Sequence, residues 1–547
     1  MKTKKIIALL IITNTLLAQT KPANTSELKQ PKLVVGIVVD QMRHDYIYRY
    51  WNKFGNGGFK KIINEGYFYR NAHYNYVPTY TGPGHASIYT GTSPATHGII
   101  ANEWFSKETG KMTYCTYDEN AKSVGTESSA GAMSPKNLLV TTIGDELKSS
   151  TNQQSKVFAI SLKDRSSILP AGHSANGAFW FDGSNGKFIS STHYMNELPA
   201  WLNEFNNLQL AKQYLSKGWN TLYPIARYTE SIADKNNYEA APNKKDTAIF
   251  PYQYKTQLDK NSYDIIRATP YGNTITKDLA LACLKAEQLG KGTQTDMLCI
   301  SFSSTDYVGH SFGPRSVEVE DVYLRLDKDL EELINTLNAT VGKDNYVIFL
   351  TADHGACDVP AHLKDLKIPG GYINEYAFET SLKTFCKNVY GDSLLLALEN
   401  QQIFLNEKRI YEMKLSKSEI EKTLANYLLS FKGVAEAYTS DVLKNENYTD
   451  DSFKYLIQKG YNHVRSGNVA FSYNPAWMEY QDKGTTHGAS YSYDTHVPVV
   501  FYGAGITKGS SVRKIHVVDI APTISMMLHL SFPNGTTGKP LEEVIIK

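Results

Sequence analysis

Cysteine is scarce: five residues in 547, namely Cys115, Cys283, Cys299, Cys357 and Cys386, with no Cys-x-x-Cys pair. That excludes a thiolate zinc site and a dithiol redox motif. In an oxidising compartment it leaves room for one or two disulfides and a spare thiol, with connectivity unreadable from sequence. An excess of one charge sign is also lacking. Lys and Arg number 57 against 55 Asp and Glu, without a basic run, so a nucleic acid is not expected as a stable partner. Long apolar runs are missing beyond the N-terminus, so no membrane span is expected. In "MKTKKIIALLIITNTLLAQT" three lysines precede an apolar run from Ile6 to Leu17, then Ala18. The run is short for a bilayer and has the layout of a secretory signal peptide over residues 1–18. No cysteine follows it, so a lipid anchor is not indicated. The mature chain is therefore expected to be periplasmic or secreted. Internal repeats and low-complexity linkers are absent as well. Tyrosine is plentiful, 37 residues against 21 Phe and 6 Trp, but that selects no function.

Several short apolar runs read as buried strands that end in polar side chains. "KLVVGIVVD" ends at Asp40, "KVFAISLKDR" at Lys163, Asp164 and Arg165, "DMLCISFSSTD" at Asp306, and "DNYVIFLTADHG" at Asp353 and His354. "HVPVVFYG" is a late strand. Between them, "TITKDLALACLKAEQLG" and "VEVEDVYLRLDKDLEELINTLNAT" have helical periodicity. The alternation predicts an α/β fold, a central, mostly parallel sheet flanked by helices. In such sheets ligands sit beyond the carboxyl ends of the strands, where these polar residues fall. The core is expected over 30–360 and 485–547. Residues 185–260, rich in Asn, Tyr, Trp and Lys, read as a surface insertion. Residues 360–485 read as an inserted α+β subdomain, with a helix at "LSKSEIEKTLANYLLSFKG" and short strands around "FKYLIQKGY" and "GNVAFSYNPAWMEY".

The strand ends carry metal-ligand chemistry. Asp306 and His310, in "STDYVGH", share a face if a helical turn follows the strand. Asp353 and His354 are adjacent, Asp40 ends the first strand, and His487 lies in the loop "KGTTHGA". Each alone is an ordinary turn, cap or loop residue. Together, with Thr81, they make too many ligands for one tetrahedral ion and suit two. Thr81 lies in "YVPTYTGPGHASIYTG", residues 76–91, before what reads as a buried helix. Its hydroxyl suits a helix N-cap, or a nucleophile where free N–H groups and the helix dipole welcome phosphate. In the second reading, glycines and proline hold the hydroxyl open to solvent. His85, His97, His173 and His496 are expected to make supporting hydrogen bonds rather than to act as ligands.

In this order, "IVVD", "PTYTGPGH", "STDYVGH", "TADHG", "THG" and "VVDIAPTI" resemble the alkaline phosphatase superfamily, nearest its nucleotide pyrophosphatase/phosphodiesterase branch. Lys163 and Arg165, in "SLKDRSSILPAGH", resemble the pair in bacterial phosphate-irrepressible alkaline phosphatases of the PafA type. The resemblance runs from about residue 33 to about residue 530. It implies two zinc ions, one held by Asp306, His310 and His487, the other by Asp40, Asp353, His354 and the Thr81 oxygen. It further implies Thr81 as a nucleophile that forms a phosphothreonine, with Asn102, Lys163 and Arg165 binding phosphoryl oxygens. In that branch a lysine stands where other alkaline phosphatases hold Mg²⁺, so no third metal is expected. Lys163 and Arg165 would reward the extra charged oxygen of a monoester. The expected function is an exported, zinc-dependent alkaline phosphatase that hydrolyses a broad range of small phosphate monoesters for phosphate scavenging. A monomer is the working expectation. The alternatives are a nucleotide pyrophosphatase/phosphodiesterase with the same metals, and a zinc-stabilised binding module without catalysis.

Overall fold

Leu33–Val39 (β1), sequence LVVGIVV, is apolar throughout because parallel neighbours cover both its edges and other layers both its faces. Each fully buried Val, Leu or Ile there contributes roughly 1.5–3 kcal/mol. In the computed structural model, residues 30–240, 247–449, 452–480 and 482–545 are described. The signal-peptide reading of residues 1–18 lies outside them.

The elements that place the site follow in chain order: β1, β2 (Tyr67–His73), α1 (Thr81–Thr90), β3 (Val157–Ser161), α2 (Asp164–Ala171), β4 (Gly177–Asp182), α3 (Pro270–Ala286), β5 (Asp296–Phe302), α4 (Ser304–Phe312), α5 (Val317–Thr340), β6 (Tyr346–Thr351), α6 (Phe453–Gly460) and β7 (His496–Gly503). Among the described residues the main sheet has eleven strands. Its centre runs β2-β7-β6-β1-β5-β3-β4, and short strands at Gly509–Ser511, Ile515–His516, Lys187–Ser191 and Ser123–Val124 extend the edges. Strands β6, β1, β5, β3 and β4 are parallel, so their carboxyl ends share one edge. Strand β7 is antiparallel to β6, with Leu350 opposite Val500. Its start therefore lies at that same edge, and so does the loop that carries His487 towards it.

The expected α/β class is thus present, with helices on a mostly parallel sheet. Within 185–260, Lys187–Ser191 joins the main sheet, and Trp219 is fully buried, donating from Nε1 to Asp321 at 2.7 Å. Within 360–485, Leu395–Glu399, Gln402–Leu405, Val469–Tyr473 and Val434–Thr439 form a separate antiparallel sheet. It has its own core, including Leu382, Ile403, Leu424, Leu428 and Phe471.

One expectation fails here. "FKYLIQKGY" is not a strand but helix α6. Ser452 accepts from the Tyr455 amide and caps it, and Leu456, Ile457 and Gly460 form one buried face. Three consecutive apolar or aromatic residues concealed that helical spacing. Leu456 and Ile457 pack with Val77, and the Val77 amide donates to the Leu456 carbonyl at 3.1 Å, tying the subdomain to the segment that leads into α1. The room left for disulfides is not used either: all five cysteines are free and buried.

Candidate metal and phosphate site

Four of the expected residues come from the ends of parallel strands. Asp40 follows β1, Lys163 follows β3, and Asp353 with His354 follows β6. Asp306 and His310 lie on α4, which opens directly after β5. One helical turn puts the Asp306 Oδ1 atom 3.1 Å from His310 Nε2, as the spacing of four predicts. His487 Nε2 lies 3.8 Å from the same oxygen.

Asp306, His310 and His487 bring ligand atoms within 4.8 Å of one another, and so do Asp40, Asp306 and His354. The two groups share Asp306. Asp353 takes a place behind the second group. Its Oδ1 accepts from the Gln41 amide at 3.1 Å, and its Oδ2 lies 3.3 Å from His85 Nδ1 and 3.7 Å from His354 Nε2.

The three imidazoles are prepared in one way. His310 Nδ1 donates to the Thr485 carbonyl at 2.7 Å, His354 Nδ1 to Gly355 at 2.9 Å, and His487 Nδ1 to Thr79 at 2.6 Å. A backbone carbonyl can only accept, so each Nδ1 carries the proton and each Nε2 lone pair faces the carboxylates. This is the second-layer arrangement that fixes a metal-binding tautomer. Burial pushes His354 down to about 4 and His487 well below its ordinary value, so both stay neutral. His310, 24% exposed at its side chain, is instead raised, because Asp306 outweighs burial.

The carboxylates carry more negative charge than their surroundings neutralise. Asp40 and Asp353 are fully buried, and Asp40 Oδ1 and Asp353 Oδ2 have no hydrogen-bond partner. Burial and the neighbouring Asp353 raise Asp40 well above the carboxylate range, and burial lifts Asp353 to about 7. Asp306 is held low, because His310 and Lys163 outweigh its burial. The Lys163 ammonium donates to Asp40 at 2.7 Å and to Asp306 at 2.6 Å, one cation among three buried acids. Buried charges that lack pairs call for a bound cation. Mixed carboxylate and imidazole donors, all Nε2 and oxygen, fit a pair of divalent ions of borderline softness.

Thr81 opens α1 as its first residue. Tyr80 occupies the cap position, so the hydroxyl is not a helix cap. Nor is it open to solvent as expected, since Thr81 is 1% exposed. His354 Nε2 and Lys163 Nζ each lie 3.5 Å from its Oγ1. Asn102 Oδ1 accepts from the Gly82 amide at 2.8 Å, which orients the amide group at the same helix start. Arg165, the second residue of α2, donates from Nη1 to the Tyr114 hydroxyl at 2.9 Å, while its buried Nε has no partner.

Several supporting residues were not singled out from sequence. Gln41 adopts a positive φ of 63°, and its Nε2 donates to Asp306 Oδ1 at 2.6 Å, so one residue braces both Asp306 and Asp353. The Tyr307 ring lies 5.0 Å from Lys163 Nζ. Tyr114 and Asp164 hold Arg165, as the Tyr114 hydroxyl donates to Asp164 at 2.8 Å. No local signal marks Gln41 or Tyr114; position within the known motifs would have offered Asp164 and Tyr307. His85, expected to be supporting, donates from Nδ1 to the Thr81 carbonyl at 2.9 Å and meets Ser301 Oγ at 2.8 Å.

Residues 34–497 match the type I phosphodiesterase / nucleotide pyrophosphatase family. The chain is 46% identical to alkaline phosphatase PhoV of Synechococcus elongatus, covering 94% of this chain and 93% of that one. It is 44% identical to alkaline phosphatase PafA of Elizabethkingia meningoseptica over 99% of both chains. The crystal structure of wild-type alkaline phosphatase PafA superposes with a TM-score of 0.91 at 45% identity, covering 94% of this chain and 99% of that one. The strand-end acids and imidazoles, the full-length identity and the shared fold agree: the chain belongs to the type I phosphodiesterase/nucleotide pyrophosphatase family, among its PafA-type alkaline phosphatases.

Proposed function

We propose that this alkaline phosphatase hydrolyses phosphate monoesters through Thr81, with two zinc ions held by Asp306, His310 and His487 and by Asp40, Asp353, His354 and Thr81. The observation that carries the reading is the position of the Thr81 hydroxyl, 3.5 Å from both Lys163 Nζ and His354 Nε2 at the start of a buried helix. Divalent zinc bound there would favour the alkoxide of a coordinated hydroxyl and stabilise negative oxygen. Thr81 Oγ1 attacks phosphorus in line, the Oγ1–P bond forms as the bond between phosphorus and the ester oxygen breaks, and the departing oxygen leaves as the alcohol with the proton lost from the hydroxyl. Water then hydrolyses the phosphothreonine and regenerates the hydroxyl. Lys163, Arg165 and the Asn102 amide meet the charge on the nonbridging oxygens. His85 holds the Thr81 carbonyl and so the hydroxyl's position. Lys163 and Arg165 together suit a monoester dianion better than a diester.

Export is proposed from the residues of the 1–18 segment, and scavenging of phosphate from many small esters follows from a site whose contacts are to phosphoryl oxygens. No helix among the described residues is long and apolar enough to cross a membrane. The family match favours one second reading, a diesterase or pyrophosphatase. The zinc-loaded protein, assayed with phenyl phosphate and with methyl phenyl phosphate, separates them. Monoester kcat/KM above diester kcat/KM supports the proposal, and the reverse order replaces it with the diesterase. Thr81→Ala is expected to cost about 10³-fold or more in monoester kcat with zinc content unchanged. Turnover at the wild-type rate would remove Thr81 from its role.

A further inference from the structure

Asn102 and Tyr114 stand side by side at the open end of one small hairpin. Its strands, Glu103–Ser106 and Lys111–Tyr114, pair antiparallel with Glu103 opposite Tyr114, and the Cys115 amide donates to the Asn102 carbonyl at 2.8 Å. Asn102 is proposed above to meet a phosphoryl oxygen, and Tyr114 holds Arg165. Two short strands do not keep a fixed position by themselves, so their packing decides where these groups lie. From the core side, Trp104 packs with Ala86 of α1 and Leu169 of α2.

The subdomain touches each of the three residues that follow Asn102. Asn400, in the turn between Leu395–Glu399 and Gln402–Leu405, donates from Nδ2 to the Glu103 carbonyl at 2.8 Å. The Arg465 guanidinium carbon lies 5.2 Å from the centre of the Trp104 ring, and its Nη1 donates to the carbonyls of Gly98 at 2.5 Å and Asn137 at 2.7 Å. The Phe404 ring lies 5.5 Å from that of Phe105, and both are buried. Neighbouring side chains of a strand point to opposite faces, so contacts at Trp104 and Phe105 grip it from both sides. Asn137 in turn donates from Nδ2 to the Cys115 carbonyl at 3.2 Å, which extends the Arg465 contact to the second strand's end. Burial lowers the Arg465 guanidinium with no acid to oppose it, so carbonyls and a ring face alone meet its charge.

We propose that Asn400, Phe404 and Arg465 are positioning residues for phosphoryl binding. The subdomain supplies none of the proposed metal ligands, yet through this hairpin it sets where Asn102 and, by way of Tyr114, Arg165 meet the substrate. The inference rests on the reading above that Asn102 and Arg165 bind phosphoryl oxygens. Loosening the grip displaces both groups together, and small displacements of binding groups cost rate steeply.

Asn400→Gly is the mildest test, because Asn400 has a positive φ of 54°, which glycine adopts freely, and only the side chain is lost. The zinc-loaded full chain is assayed for kcat/KM with phenyl phosphate and for inhibition by inorganic phosphate, which needs only the phosphoryl-binding groups. Asn400→Gly is expected to lower kcat/KM and weaken phosphate inhibition by about threefold to tenfold, the scale of one hydrogen bond, with zinc content unchanged. Arg465→Met should cost about tenfold or more, since a ring contact and two charged hydrogen bonds go together. In a chain that already carries Asn102→Ala and Tyr114→Phe, neither substitution should cost more than about twofold, because the hairpin then holds nothing that meets phosphate. A general loss of stability would act equally in both backgrounds. Equal losses in the two backgrounds, or no loss in either, overturn the inference. Should Arg465→Met not fold, Asn400→Gly decides alone. Asn102→Ala at wild-type kcat/KM and phosphate inhibition would remove the phosphoryl-binding reading itself, whereas a loss in Asn102→Ala with none in Asn400→Gly removes only the positioning role.

Discussion

At the scale of single residues, the groups proposed to bind phosphate depend on partners that hold them. Arg165 has a long side chain whose rotamers must be fixed before its fork can meet a phosphoryl group. The Tyr114 hydroxyl accepts from it and donates to Asp164 Oδ1, which also accepts from Thr116 at 2.9 Å. Tyr114→Phe keeps the ring and removes this link. It is expected to lower monoester kcat/KM about tenfold or more, the worth of a hydrogen bond to a charged group. In an Arg165→Ala background the same change should cost little, and a double-mutant cycle measures that coupling. Equal losses in both backgrounds would show that Tyr114 acts elsewhere. Asp306 and Asp353 illustrate what chain position hides. Both follow a central strand, yet only Asp306 reaches both ligand groups, because its helix turns its carboxylate inward while Asp353 is drawn back by the Gln41 amide and His85.

At the scale of elements, α1 is held against the end of β6 more tightly than a helix with side chains would permit. A methyl group at Gly84 would lie 2.5 Å from the Asp353 carbonyl oxygen and 2.7 Å from its Cβ. Gly84→Ala should therefore lower stability by about 1–3 kcal/mol through overpacking, although alanine is the better helix former by about 1 kcal/mol. The urea midpoint measures the loss, and falling activity would report the shift of Thr81 away from His354. The next short helix, Pro94–His97, carries a buried histidine. Its Nδ1 accepts from the Ile99 amide at 3.1 Å, so Nε2 donates to Ser87 Oγ at 3.0 Å and the ring is neutral. Burial lowers it from 6.5 to about 3. Between these values the unfolded chain binds the extra proton. Its contribution is thus complete above about pH 6.5 and is lost as pH falls towards 3. His97→Gln should flatten the dependence of Tm on pH across that interval, with the larger effect on the acid side. An unchanged slope would assign the acid loss to other groups.

At the scale of the whole molecule, residues from β1, β3, β5, β6 and the loop before β7 meet at one sheet edge, and the acids among them repel one another. If the proposed zinc ions are bound there, a chelator is expected to abolish activity and lower Tm by several degrees, with zinc restoring both; an unchanged Tm would mean that the ions do not hold the strand ends together. Much of this arrangement was readable beforehand. The buried strands are continuous apolar runs, their polar ends are local, and the four-residue step from Asp306 to His310 is helical geometry, so the α/β class and the pairing of Asp306 with His310 depend only on near neighbours in the chain. The full-length family motifs added roles that composition alone could not assign. Other features arise only when distant segments pack. The antiparallel course of β7 brings His487 to the edge, the subdomain meets the core through α6 and Val77, and Thr81 loses its solvent once Lys163 and His354 close over it. Those outcomes depend on register and side-chain direction between segments hundreds of residues apart, and no local pattern encodes the sum of such contacts.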